Sequence, residues 1–130
     1  GVPLGEPDGR ICDNFCGSLR KTMLTVSERY PKALAFYVTP VYRYSEYDGE
    51  TVKFEAFDTK NAVGCTLYDY YKCMKEVSER VGFAVCDMRT ASGINKSNHT
   101  TYLRDGVHPT EFGYKRIANI LCDFISGYLK

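Results

Sequence analysis

Two short apolar runs, each bounded by helix-breaking residues, constrain this chain more than any other feature. Leu34-Ala35-Phe36-Tyr37-Val38-Thr39 lies between Pro31 and Pro40, and Phe83-Ala84-Val85-Cys86-Asp87-Met88 follows Gly82. Neither run alternates apolar with polar residues. Continuous apolar runs of this length mark strands covered on both faces, and such strands belong to parallel sheets flanked by helices. The segments between them carry the helical period. Phe15, Leu19, Met23, Val26 and Tyr30 recur at steps of three and four, with Asp13 or Asn14 as the N-cap and Pro31 disfavouring any continuation. Leu67, Tyr70, Met74, Val77 and Val81 repeat the pattern from Thr66, and Gly82 sits where a C-terminal glycine cap belongs. Tyr114, Ile117, Ala118, Leu121, Phe124, Ile125 and Tyr128 mark a third helix with Thr110 as its cap.

The predicted order is helix, strand, helix, strand, loop, helix, which is an α/β arrangement built from right-handed crossovers. Residues 41–64 are expected to form a long irregular loop. Tyr42, Tyr44 and Tyr47 are interleaved there with Arg43, Glu46 and Asp48, and Gly49 follows. Such a stretch is either a loop packed by its own rings or a stacking surface, for a carbohydrate for example. A connection of this length also points to a lid or insertion. Two strands fall short of the roughly five that a covered sheet of this kind usually carries. The chain also opens Gly1-Val2-Pro3-Leu4-Gly5, without an initiator methionine. Both observations lead to the expectation that these 130 residues are the later part of one longer domain.

Composition narrows the function classes. Seventeen basic against sixteen acidic side chains give a net charge of +1, so no broad basic face is available for nucleic acid. No apolar run approaches the length of a membrane-spanning helix. No targeting segment is visible, which leans towards the cytoplasm and leaves secretion open. Of the six cysteines, Cys12 and Cys16 form a Cys-x3-Cys pair, while Cys65, Cys73, Cys86 and Cys122 are scattered and neither His99 nor His108 stands at ligand spacing. Free, mostly buried thiols in a reducing compartment are therefore expected rather than a metal site. Two Asn-x-Ser/Thr sequons at Asn95 and Asn98 carry meaning only where the source glycosylates.

The segment Asp105-Gly106-Val107-His108-Pro109-Thr110-Glu111-Phe112-Gly113-Tyr114 carries the chemistry. It follows a strand and precedes a helix, the place where functional groups collect in open α/β sheets. Gly106 and Pro109 prevent a helical path, and a tight turn would let Asp105 accept from one ring nitrogen of His108. The other nitrogen would then be free as a general base, its tautomer fixed by the carboxylate.

Asp-Gly-Val-His-Pro-Thr-x-x-Gly-Tyr, followed by Ile117 and Ala118, resembles the C-terminal catalytic block of the SGNH (GDSL-type) hydrolase family. Tyr30-Pro31 with Ala35–Pro40 is similar to that family's fourth strand and the helix before it, and Val85–Met88 to its fifth strand. Gly1–Gly5 resembles the loop after its Gly-x-Asn-Asp block. The resemblance implies a three-layer α/β/α flavodoxin-like parallel sheet, here incomplete, with two core strands and three helices over residues 1–130. It implies a serine ester hydrolase in which His108 is the catalytic base and Asp105 its orienting partner. The substrate would be a small ester: an acetylated sugar, a simple ester or a lysophospholipid. No metal or organic cofactor is implied.

The family's Gly-Asp-Ser nucleophile block and its oxyanion-hole residues are absent. Ser18 lies within a helical stripe and Ser92 in the loop after the last strand, and neither is taken as the nucleophile. The missing serine is expected on an N-terminal segment of the same protein, so the chain alone should be inactive. A second reading is a non-catalytic α/β binding or assembly module with Tyr42–Tyr47 as its contact surface. A third expectation is self-association through an unpaired strand edge.

Overall fold

The computed structural model describes residues 3–6, 14–47 and 52–129. It is a mixed α/β structure in which the described residues pack as two compact units, each with its own core.

The first unit comprises Gly1–Val38 and Lys60–Val85. Helix α1 spans Phe15–Arg29, and its start is held twice over. The Asn14 side chain accepts from the Gly17 amide at 2.7 Å, while the Phe15 and Cys16 amides donate to the carbonyls of Pro3 and Leu4. Three of the amides that every helix leaves unpaired at its start are thereby satisfied. Strand β1, Phe36–Val38, pairs in parallel with β4, Ala84–Cys86. Helix α2, Leu67–Val81, is fixed at both ends by residues legible in the sequence. Thr66 and Asp69 form a reciprocal capping box, and Gly82 ends the helix at φ +79°.

The two stripes meet. Cys16, Leu19 and Met23 of α1 pack on Cys73, Met74 and Val77 of α2, with the rings of Phe15 and Tyr70 edge-to-face at 5.1 Å beside them. Met23 is 2% exposed, so Met23→Ala is expected to cost about 2–4 kcal/mol of stability, read from a urea transition. An unchanged midpoint would mean that these helices do not form the core.

Cys16 and Cys73 stand on the facing stripes with their Cα atoms 6.2 Å apart, and their sulfurs are bonded. This corrects the expectation of free thiols. Both residues lie one helical step from a core residue, Leu19 and Val77, and packing brings their Cβ atoms together. Cys65, Cys86 and Cys122 are free, and Cys12 falls outside the described residues.

The second unit comprises Thr39–Thr59 and Cys86–Lys130. Here the expected irregular loop is largely a hairpin. Strands β2, Tyr44–Tyr47, and β3, Val52–Glu55, pair antiparallel with Tyr44 opposite Glu55 and Tyr47 opposite Val52. Asp48 and Gly49, between the two strands, lie outside the described residues. The second expected strand also ends early. Met88, read as its last residue, is instead the first residue of α3, Met88–Ala91, where it is 1% exposed. A further single turn, α4, spans His99–Tyr102. Four strands and five helices thus replace the expected two and three among the described residues.

Helix α5, Glu111–Tyr128, begins at Thr110 as expected, with the Thr110 hydroxyl accepting from the Gly113 amide at 3.2 Å. Much of its apolar stripe lies open, with Tyr114 and Tyr128 more than half exposed, as is Phe112 beside it. No helix among the described residues is long and apolar enough to cross a membrane.

Candidate active site

The turn between α4 and α5 is shaped before any side chain is placed in it. Leu103 pairs with Pro109 in an isolated antiparallel bridge, and the Arg104 amide donates to the His108 carbonyl at 2.7 Å. The Thr110 amide and hydroxyl donate to the carbonyls of Tyr102 and Thr101. These contacts close residues 103–110 into a narrow clasp whose tip is Asp105-Gly106-Val107. Gly106 sits at φ +84°, where a side chain is disfavoured, and a Cβ there would collide with the Tyr44 backbone carbonyl.

Within the clasp the Asp105 carboxylate is divided between two tasks. Its Oδ1 accepts from the amides of Val107 and His108, at 2.9 and 2.7 Å. Its Oδ2 faces His108 Nδ1 at 2.6 Å. The His108 amide, then its ring, then the Val107 amide hold the carboxyl well below the usual carboxylate range. An ionised carboxylate only accepts, so the ring must place a proton on Nδ1. That leaves Nε2 as the nitrogen able to take a proton. Nε2 has no hydrogen-bond partner among the described residues, and the His108 side chain is 62% exposed. The structure therefore brings together the two residues singled out in the sequence, in a geometry that can pass a proton through Nε2.

Among the described residues no serine is hydrogen-bonded to either of them. Ser18 belongs to α1 of the first unit, and its carbonyl accepts from the Thr22 hydroxyl. Ser92 is 2% exposed with its Oγ turned to the Ile94 amide at 3.3 Å. Neither is a hydrogen-bond partner of His108. Among the described residues no three His, Cys, Asp or Glu side chains converge as a metal site.

Part of the tyrosine segment is packed by its own rings. Tyr42 is 3% exposed and forms the core of the second unit with Ile94 and Leu103. Burial and the nearby Glu55 carboxylate push its phenol up to about 12. The rings of Tyr42 and Tyr44 both pack against the His99 ring, at centroid distances of 5.3 and 5.1 Å. Arg89 completes the cluster, its guanidinium 3.9 Å above the Phe57 ring. The side chain of Tyr47 lies outside the described residues. One participant escaped the sequence reading altogether. The Tyr44 amide donates to the Gly106 carbonyl at 2.9 Å, joining the hairpin to the tip of the clasp.

No protein-family model and no curated protein matches the chain. Solved structures do. One crystal structure, 28% identical, superposes with a TM-score of 0.82 over 97% of this chain and 57% of its own. A structural-genomics target from Lactobacillus plantarum, 19% identical, superposes with a TM-score of 0.80 over 97% of this chain and 60% of its own. The chain thus spans less than two thirds of either matched structure, and shares their α/β fold.

Proposed function

We propose that this chain supplies the acid–base half of a serine ester hydrolase of the SGNH type. The observation that carries the reading is the 2.6 Å contact between His108 Nδ1 and Asp105 Oδ2, on an exposed ring whose Nε2 has no hydrogen-bond partner among the described residues. In this proposal β1 and β4 are two strands of a three-layer flavodoxin-like sheet. The nucleophilic serine and the oxyanion hole lie outside the 130 residues, on an N-terminal segment of the same protein. The greater length of the matched structures is compatible with that arrangement.

The reaction runs in two transfers. His108 Nε2 takes the serine hydroxyl proton as the oxygen bonds to the ester carbonyl, and gives it to the departing alkoxide as the acyl–oxygen bond breaks. Water then repeats the sequence on the acyl-serine and regenerates the enzyme. Asp105 holds the ring in the Nδ1–H tautomer and stabilises the imidazolium formed in each transfer. No metal or organic cofactor enters these steps. The substrate is a small carboxylic ester.

A fluorophosphonate that phosphonylates activated serines tests the proposal. The protein extended to the length of its structural relatives is expected to be labelled on one serine outside these 130 residues and to hydrolyse a short-chain aryl ester. The 130-residue chain alone is expected to do neither. Turnover by the isolated chain, or its absence from the extended protein, would overturn the assignment.

A further inference from the structure

The hairpin β2–β3 touches the clasp at one place, and that contact bears on the dyad. The carbonyl of Gly106 and the amide of Val107 belong to one planar peptide unit. Its carbonyl end accepts from the Tyr44 amide at 2.9 Å, and its N–H end donates to Asp105 Oδ1 at 2.9 Å. Because the unit is rigid, fixing the carbonyl fixes the direction of the N–H. That direction sets the carboxylate whose other oxygen meets His108 Nδ1. Hydrogen bonds in series also polarise one another, so the Tyr44 amide strengthens the Val107 bond as well as aiming it.

The fit at this point is close. Gly106 is buried at the tip of a clasp whose dyad side chains are about half exposed, and any Cβ there would meet the Tyr44 carbonyl. Tyr44 in turn is held from both sides. Its ring packs on His99, and its cross-strand neighbour Glu55 is ion-paired with Lys96 at 2.9 Å. Local bonds within the turn hold the carboxylate against residues 107 and 108, and among the described residues the hairpin is what anchors the Gly106 carbonyl at its tip.

We infer that Tyr44 is a positioning residue for the Asp105–His108 pair, acting through its backbone amide on the Gly106–Val107 peptide. The inference rests on the reading of that pair as a catalytic dyad. Its consequence is a tautomer: with the peptide pinned, Asp105 keeps the proton on Nδ1 and leaves Nε2 bare. With the peptide free to rotate, the carboxylate loses its aim and the imidazole returns towards the Nε2–H form that predominates in unconstrained histidine.

The test needs no substrate. Long-range ¹H–¹⁵N correlation of the chain labelled at its two histidines, at mildly alkaline pH, reads the tautomer of each ring. Asp105→Asn assigns His108 and supplies the reference without a carboxylate. Tyr44→Pro removes the amide proton from an edge that faces Gly106, whereas Tyr44→Ala removes the ring and keeps the amide. The wild-type chain and Tyr44→Ala are expected to hold His108 in the Nδ1–H form. Tyr44→Pro is expected to lose more than half of that population, with the His99 signals of a folded chain retained. A wild-type tautomer in Tyr44→Pro overturns the inference.

Should Tyr44→Pro fail to fold, amide exchange in the unsubstituted chain decides. The Tyr44 and Val107 amides are expected to open together as urea is raised below the unfolding transition. A Val107 amide that stays protected while Tyr44 exchanges overturns the inference equally. Neither readout depends on hydrolysis, so an extended protein with no esterase activity would remove the reaction and leave the positioning contact standing or falling on these results.

Discussion

His108→Ala is expected to lower kcat/KM for a short-chain aryl ester by about 10⁴-fold or more in the extended protein, with KM little changed. The expectation follows from where the proton can go. In the variant Oδ1 of Asp105 still accepts from two backbone amides, which hold the carboxyl below the usual carboxylate range, so the freed Oδ2 makes a poor substitute base. The other histidine, His99, is engaged elsewhere, its ring packed against those of Tyr42 and Tyr44. The substitution leaves the clasp intact, since the contacts that close it are made by backbone atoms and by Thr110. Stopped kinetics with an unchanged thermal transition would identify chemistry as the cause. Activity within tenfold of wild type would remove His108 from the mechanism.

Asp105→Asn is expected to cost about 10³–10⁴-fold in kcat by a different route. The asparagine carbonyl can still accept from the Val107 and His108 amides, so the turn should survive. The other arm of the side chain becomes an NH₂ group facing His108 Nδ1. Two donors cannot pair, and the ring is driven to the Nε2–H tautomer, which has no lone pair left for the serine proton. The acid limb of stability changes as well. A carboxyl held below its unfolded value stabilises the fold above the ordinary carboxylate range, about pH 4. That contribution is lost as pH falls through the lower folded value. The wild-type turn should therefore loosen only in strong acid, and the asparagine variant should show no such step. Amide exchange at Val107 followed down the pH scale distinguishes the two.

Periodicity carried most of the fold. The stripes of α1, α2 and α5 were legible because three- and four-residue steps leave one face apolar, and Asn14, Thr66, Gly82 and Thr110 mark ends with local hydrogen bonds or a left-handed turn. The hairpin was not, because Tyr44-Ser45-Glu46-Tyr47 mixes rings with charge and is too short to display a period. Val52-Lys53-Phe54-Glu55 does alternate, and Asp48-Gly49 is a hairpin dipeptide, so the signal was present in the second strand. Asp105 and His108 were legible because Gly106 between them and Pro109 after them disfavour a helical path. The Tyr44 amide was not, since a backbone donor about 60 residues away leaves no trace in side-chain chemistry. The cysteine pairing failed for a similar reason: it depends on which helix faces meet, and spacing along the chain does not record that.

The bond between Cys16 and Cys73 has a consequence for covalent topology. It turns residues 16–73 into a closed ring, with chain running on from it on both sides. The hairpin lies on the ring, and Asp105 and His108 on the chain that follows it. A single peptide-bond cut between the two cysteines would linearise the ring yet release no fragment. Tyr44 and the turn it meets would remain parts of one molecule until a reductant reached the sulfurs.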